Sequence, residues 1–385
     1  MRILMFSQFG LPDSCAAATR VMNLARLLRE LGHEVGLLGV AYAQGSCLRG
    51  EHDGMRYSML QANACQGLQA GMRVRDLDRQ IRQYLSAQEK PWDMIILSNV
   101  YSDHVRTFNE YARRHGTRLA VNAVEWYALD DERFRGPGGV INLLKNRAAL
   151  CWKHVRMGNI IAISTLLEQY YAARGCRTVV IPTIVDMKEY QGLVHHPHDR
   201  LQIAYAGSPA RKDYLLNVVR ALTLLTEAER SRLELHLYGP TPEQLRALGM
   251  SAETERSCGD ALVCHGRIPY DEVKARIAEA DFTVLLRPDR RYANAGFPTK
   301  VGESMACGTP VICNLTSDLQ LYVHDGKNGI VVQDESAQAC AAGLRRALDL
   351  SDEMRADMRC AARLEAEAAF DYRNYAEQLR RFLEE

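Results

Sequence analysis

A strand–helix–strand rhythm runs through this chain twice, and it limits the possible folds more than any other feature. Ile3–Phe6 is a short apolar run, followed by a loop of small residues and by Thr19–Leu31. In that stretch Val21, Leu24, Leu28 and Leu31 fall at helical spacing. Gly32 stands where such a helix would be capped, and Glu34–Gly39 resumes as a strand. Further strands are expected at Met94–Ser98, Arg118–Val124, Asn159–Ser164 and Val179–Ile181. A second series starts at Leu201–Ala206 and continues through Leu233–Tyr238, Leu262–His265, Phe282–Leu286, Pro310–Cys313 and Ile330–Val332. Strands alternating with helices build parallel sheets covered on both faces, so the class is α/β.

At 385 residues the chain exceeds one ordinary core, and two domains are expected. The stretch Asp186–Arg200 has neither periodicity and reads as the linker, dividing residues 1–185 from residues 186–370. From Ser336 onward only helices are expected. The last of them, about residues 371–385, has no strand left to serve and should pack back on the first domain. Two Rossmann-like domains facing each other across a cleft follow, with ligands beyond the carboxyl ends of the strands.

The formal net charge of +1 speaks against a protein that coats nucleic acid. The opening MRILMFSQFG turns into a loop after a few apolar residues, so it is read as a first strand and not a signal peptide. No stretch approaches the roughly 18 apolar residues of a membrane span. A cytoplasmic protein is expected. The eleven cysteines are scattered, with no C-x-x-C pair, which fits reduced thiols better than a zinc site or a disulfide framework. Asp76-Leu77-Asp78 imitates a D-x-D metal motif, but within a charged, helix-like segment, and no metal or cofactor is expected.

The chemistry concentrates in Leu285–Asn314, LLRPDRRYANAGFPTKVGESMACGTPVICN. A strand ends at Arg287, a polar loop holds Gly296 and Pro298, and a short helix runs from about Thr299 to Cys307, stopped by Gly308. A helix start just beyond a strand end presents N–H groups and a positive dipole end to an anion. Thr299 adds a hydroxyl and Lys300 a charge. Glu303 lies four residues past Thr299, one too many for a capping box, and a carboxylate there can accept from two vicinal ribose hydroxyls. The helix dipole alone also favours a glutamate in this position, by about 0.3–1 kcal/mol.

This segment resembles the E-x7-E signature of retaining glycosyltransferases of family 4, with its small-residue helix and G-x-P-V-I, and that family has the GT-B fold. The resemblance puts Glu303 on the nucleotide ribose and Thr299, Lys300 and Val301 at the donor diphosphate. The first glutamate of the signature would stand at 295, where this chain has Ala295, as in the branch with an A-G-F-P-T-K loop. The sugar would then be held by the N–H groups of Gly296 and Phe297 or by the amide of Asn294. AYAGSPARKDYLLNVVRAL, from Ala204, resembles the segment that opens the family's second domain. It places Lys212 at the diphosphate with Gly207 and Ser208 beside it, and Arg211 supplies the charge of an arginine that Ser208 replaces. Arg287 is a further candidate at the diphosphate. His265–Pro269 resembles the loop that reads the base, through Arg267 and Ile268. FSQFGLPDSCAAATR takes the place of the family's Gly-Gly loop, with Gly10, Ala16 and Ala17 as its small residues. Glu125, in VNAVEWY, stands roughly where the family has a catalytic histidine.

The expected activity is retaining, metal-independent transfer from a nucleotide sugar, with UDP-sugars ahead of GDP-mannose. The acceptor would be a glycan, lipid-linked or small-molecule hydroxyl, in the synthesis of polysaccharide or glycoconjugates. Asn142–Met157 mixes Leu143, Leu144, Leu150 and Trp152 with Lys145, Arg147, Lys153 and Arg156. Two readings stand for it: a solvated helix with an inward apolar stripe, or peripheral contact with the inner face of a membrane. The rival functions are a nucleotide-sugar epimerase of the same fold and a degenerate transferase acting as a binding or scaffold subunit.

Overall fold

Ile3, Leu4, Met5 and Phe6 are all fully buried, which a strand achieves only where the sheet is covered on both faces. In the computed structural model, which describes residues 1–12, 16–42, 48–62, 69–98, 104–126, 137–208 and 212–384, this run is the centre of an eight-stranded sheet. Its strands are β1 (Arg2–Ser7), β2 (Glu34–Ala41), β3 (Arg49–His52), β4 (Met55–Gln61), β5 (Met94–Ser98), β6 (Arg118–Ala123), β7 (Asn159–Ala162) and β8 (Arg177–Val180). They lie in the order β3-β4-β2-β1-β5-β6-β7-β8, with β3 antiparallel to β4 and every other pair parallel.

Alternate residues of β1 serve the two faces. Ile3 and Met5 join Val21, Leu24 and Leu28 of the helix Ala16–Glu30. Leu4 and Phe6 join Ile81 and Leu85 of the helix Gln69–Ser86, with Trp92 and Phe108. Gly36 has to be glycine, because a Cβ there would come within 2.5 Å of the Trp92 ring. The hairpin β3–β4 is an element that strand spacing alone missed. Its signal was Asp53-Gly54, whose φ values of 52° and 68° make the tight turn that dipeptide favours.

The chain divides into two units by contact, Met1–Ile184 with the tail from Tyr372, and Val185–Asp371. The helix Ala376–Glu384 buries Leu379, Phe382 and Leu383 in the first unit's core. Its last carbonyls are met by guanidinium groups: Arg177 donates to Arg381 O at 2.7 Å and Arg118 to Leu383 O at 2.6 Å.

The second unit has six parallel strands, β9 (Leu201–Ala206), β10 (Leu233–Tyr238), β11 (Leu262–Gly266), β12 (Phe282–Leu285), β13 (Val311–Asn314) and β14 (Gly329–Val332). Their order is β11-β10-β9-β12-β13-β14. The winding therefore reverses between β9 and β12, and such a switch point opens a crevice at the strand carboxyl ends. The segment 288–298, expected as loop, contains a short helix at Arg291–Ala295. Asp186–Arg200, read as linker, holds a 3-10 turn at Met187–Tyr190.

Candidate functional site

At the carboxyl ends of β9, β10 and β11 three glycines pack backbone on backbone. Gly207 N donates to Tyr238 O at 2.8 Å, and Gly239 N donates to Gly266 O at 2.7 Å. A Cβ on Gly239 would sit 2.3 Å from Gly207 O, and one on Gly207, at φ 145°, 2.5 Å from Lys300 Cε. Gly207 thus lets the Lys300 side chain cross the end of β9.

Lys300 belongs to the helix Thr299–Ala306, whose N-cap is Pro298 and carries no side-chain cap. That helix is fastened to the sheet by buried hydroxyls: Ser304 Oγ lies 2.6 Å from Thr283 Oγ1 on β12 and donates to Thr309 O at 2.7 Å. Gly308 follows at φ 72°, in the left-handed conformation expected of a helix stop.

The Lys300 ammonium meets Asp213 Oδ2 at 2.7 Å and remains a third exposed. Arg287, at the end of β12, approaches Asp213 Oδ1 at 3.6 Å. Tyr205 of β9 donates its hydroxyl to Asp213 Oδ2 at 3.0 Å. Asp213 is itself fixed from behind, since its neighbour Tyr214 donates N–H to Leu286 O at 2.8 Å. The Arg287 backbone is held by Asn314, which accepts from its N–H at 2.9 Å and donates to its carbonyl at 2.7 Å.

Burial opposes charge on Asp213 and on Lys300, yet each holds the other ionised. For Asp213, Lys300 and Arg287 outweigh burial and hold the carboxyl below its ordinary 3.8. For Lys300, burial is outweighed by Tyr205 and Asp213, and the ammonium titrates above its ordinary range. Burial raises the Tyr205 phenol, so it stays a donor. Glu303, one helical turn on from Lys300, is half-exposed. Its carboxyl is pushed up by burial, against the pull of Lys300 and Lys274.

The sequence-expected residues fall into distinct places. Lys300, Arg287, Gly207, Thr299, Val301 and Glu303 gather around this switch point. Lys212 is half-exposed in the turn just before Asp213, and Ser208 is exposed. Arg211 lies outside the described residues. Arg267 is exposed and Ile268 half-buried in the loop after β11. Asn294 ties two loops together, donating to Asp289 Oδ1 at 2.6 Å and accepting from Ser317 N at 2.8 Å. Phe297 is buried against Tyr322 and Phe370, with ring centres 5.6 and 5.8 Å away. Gly296 is buried as well, and Ala295 is wholly so. In the first unit, Gly10 follows β1, Ala16 and Ala17 open the helix Ala16–Glu30, and Glu125 stands half-exposed just past β6.

Sequence reasoning missed Asp213. An acid next to a lysine in RKDY carries no signal, because its partners Lys300 and Arg287 are remote in the chain. The D-x-D pair is engaged structurally: Asp76 with Arg79 and Gln80, Asp78 with His104 and Thr107. Among the described residues no group of three His, Cys, Asp or Glu is arranged to hold a metal ion, and no helix is long and apolar enough to cross a membrane.

The family described as Glycosyl transferases group 1 matches residues 186–365, and the Glycosyl transferase 4-like domain matches residues 16–184. The chain is 30% identical over 197 residues to the D-inositol 3-phosphate glycosyltransferase of Nocardiopsis dassonvillei, covering 47% of this chain and 44% of that protein. It spans less than half the length of the curated relatives it matches. Sucrose-phosphate synthase from Thermosynechococcus elongatus has a similar fold, with a TM-score of 0.77 at 18% identity over 99% of this chain and 98% of the other. HepE from Anabaena, in complex with UDP-glucose, gives 0.68 at 17% over 100% and 99%. At such identities the likeness concerns the fold, which is GT-B.

Proposed function

Because the chain belongs to the GT-B glycosyltransferase family, we propose that it transfers a sugar from a nucleoside diphosphate sugar to an acceptor hydroxyl with retention of configuration. The observation that carries this reading is Lys300. It is a partly exposed ammonium held at a helix start, beyond the switch point of a parallel sheet. A diphosphate placed there meets Lys300, Arg287 and the dipole of the helix Thr299–Ala306. These groups stabilise the charge that grows on the leaving diphosphate, with Lys212 and Arg211 adding to it. Glu303 accepts from the ribose hydroxyls, and the backbone from Gly266 to Ile268 reads the base. The N–H groups of Gly296 and Phe297 hold the sugar, since Asn294 is engaged with Asp289 and Ser317.

In this scheme the acceptor hydroxyl attacks the anomeric carbon from the face that the diphosphate leaves. The bond to the diphosphate oxygen breaks, the new glycosidic bond forms, and the hydroxyl proton passes to the departing diphosphate. No metal is called for. On the first unit, Glu125, Gly10, Ala16 and Ala17 are the residues we assign to the acceptor. UDP is the nucleotide to test first, as the HepE structure of the same fold holds UDP-glucose. The acceptor is a glycan, lipid-linked or small-molecule hydroxyl. A membrane-borne acceptor fits one further observation: Ile141, Leu144 and Trp152 are 57%, 60% and 68% exposed beside exposed Arg147 and Arg156. Co-sedimentation with phosphatidylglycerol vesicles, lost in Trp152→Ser, tests that contact.

Calorimetry with UDP, GDP and ADP tests the donor site. Glu303→Gln should weaken binding of the preferred nucleotide by about 1.5–3 kcal/mol, or roughly tenfold to a hundredfold. Unchanged affinity would mean that this is not the ribose site. Product anomers read by proton NMR with chelator present test the reaction; an inverted product or loss of turnover refutes it. A binding subunit without turnover is the competing reading, based on Ala295 in place of an acid, and the same assay separates the two.

A further inference from the structure

A cavity of about 1070 Å3 lies in the first unit, beside the hairpin edge of its sheet. Small-molecule pockets commonly measure about 300–1,000 Å3, so there is room here for more than a single sugar ring. It lies beside the amino-terminal ends of β1 and β2, the hairpin β3–β4 and the last turns of the helix Gln69–Ser86. Arg2, Glu34 and Trp92 line it at the amino-terminal ends of the strands, and along β4 it reaches Met59 and Leu60.

Four arginines line it, each from a different element: Arg2 from β1, Arg29 from the helix Ala16–Glu30, Arg49 from β3 and Arg56 from β4. Glu34 is the one carboxylate among the described lining residues, and Arg2 meets it at 3.0 Å. Two of the guanidinium groups are positioned by main-chain carbonyls. Arg2 lies over the Trp92 ring at 4.5 Å and donates to Lys90 O and Pro91 O, while Arg29 donates to Asp53 O. Arg2 and Arg29 are thus already fixed in place, so an anion entering the cavity meets two guanidinium groups that need little further ordering.

The remaining polar lining is neutral. Gln80, Gln83 and Gln88 come from the helix side, with Tyr84 among them. Burial pushes the Tyr84 hydroxyl up to about 12, against the pull of Arg2 and Arg49, so it stays a donor. Amides and a phenol exchange hydrogen bonds with sugar hydroxyls, and guanidinium forks fit carboxylate or phosphate oxygens. We propose that this cavity binds an anionic saccharide, bearing carboxylate or phosphate groups, at a second site on the first unit.

The test is calorimetry on the full chain with tri-galacturonate and with glucose 6-phosphate, against maltotriose and inorganic phosphate. The expected result is binding of an acidic sugar that Arg56→Glu and Arg49→Glu each weaken at least about tenfold, and that about 0.5 M salt also weakens. Binding of tri-galacturonate alone assigns the anion as carboxylate; binding of glucose 6-phosphate alone assigns it as phosphate. Equal binding of maltotriose overturns the proposal, as does inorganic phosphate matching the acidic sugars. Failure of both acidic sugars to bind at millimolar concentration, or binding untouched by both substitutions, overturns it too. UDP titration of the same variants reports an intact donor site, so failure here leaves the transferase reading standing.

Discussion

The two units bury their cations in opposite ways. In the second unit Lys300 and Arg287 share the Asp213 carboxylate at the mouth of the sheet, and Lys300 keeps a third of its side chain exposed. In the first unit Arg20 is buried with neutral acceptors: Asn122 Oδ1 at 3.1 Å and the carbonyls of Ile181 and Pro182. Asn122 in turn donates to Ser98 Oγ at 3.1 Å. A guanidinium saturated by carbonyl and amide oxygens works as a clamp, here joining β6 to the segment after β8. An ammonium with one carboxylate and a face open to solvent can take a second anion. Burial of a positive charge therefore does not mark a binding site by itself; the identity and number of its acceptors do.

The largest expected effect is on catalysis. Lys300→Ala should lower kcat by about 10²–10³-fold, the scale of losing one charge-stabilising contact. Lys212→Ala should cost less, because Lys212 precedes the carboxylate that fixes the site and Lys300 contacts it. Steady-state kinetics on both variants decides the order, and a larger loss in Lys212→Ala would reverse it. The second effect falls on stability. Arg20→Met should lower the unfolding free energy of the first unit by about 3 kcal/mol, since buried carbonyls lose their donor. Urea unfolding measures this, and UDP affinity should stay as it was. Loss of UDP binding with normal stability would make Arg20 a functional cation after all and abolish the contrast.

The smallest effect is on pH dependence. Asp213 is held below its ordinary 3.8 in the fold, so its contribution is complete above that pH. It is lost as acid carries the group through its folded value. Melting temperatures between about pH 4 and pH 2 should therefore fall less steeply in Asp213→Asn than in the wild type. Arg20→Met has no acid among its hydrogen-bond partners and should keep the wild-type acid limb. Identical acid limbs in wild type and Asp213→Asn would mean that Asp213 gains nothing from its two cations.

The helix at Thr299, its stop at Gly308 and the six strands of the second unit could be read from the sequence because each rests on local spacing and turn chemistry. Lys300 was visible for the same reason. Asp213 was not, as its meaning depends on residues brought together by the sheet's reversal between β9 and β12. The hairpin at Asp53-Gly54 was overlooked although its turn signal is local; β3 has exposed and half-buried residues and offers no apolar run. Leu144 and Trp152 show what spacing leaves open. Of the two readings of Asn142–Met157, an inward stripe fits Leu143 and Leu150, whereas Leu144 and Trp152 are exposed.

The helix Ala376–Glu384 also dictates an order of events during synthesis. The second unit ends at Asp371, so it can close once that residue has left the ribosome. The first unit, begun earlier, still lacks Leu379, Phe382 and Leu383 from its core at that moment. At about 5–20 residues per second, the helix that seals it emerges roughly 10–40 s after β8. During that interval the apolar face beside β8 lies partly uncovered, and chaperones have their longest access to the first-made unit. A nascent chain arrested before residue 376 should therefore bind a hydrophobic dye through its first-made sheet, while its later-made sheet is already closed.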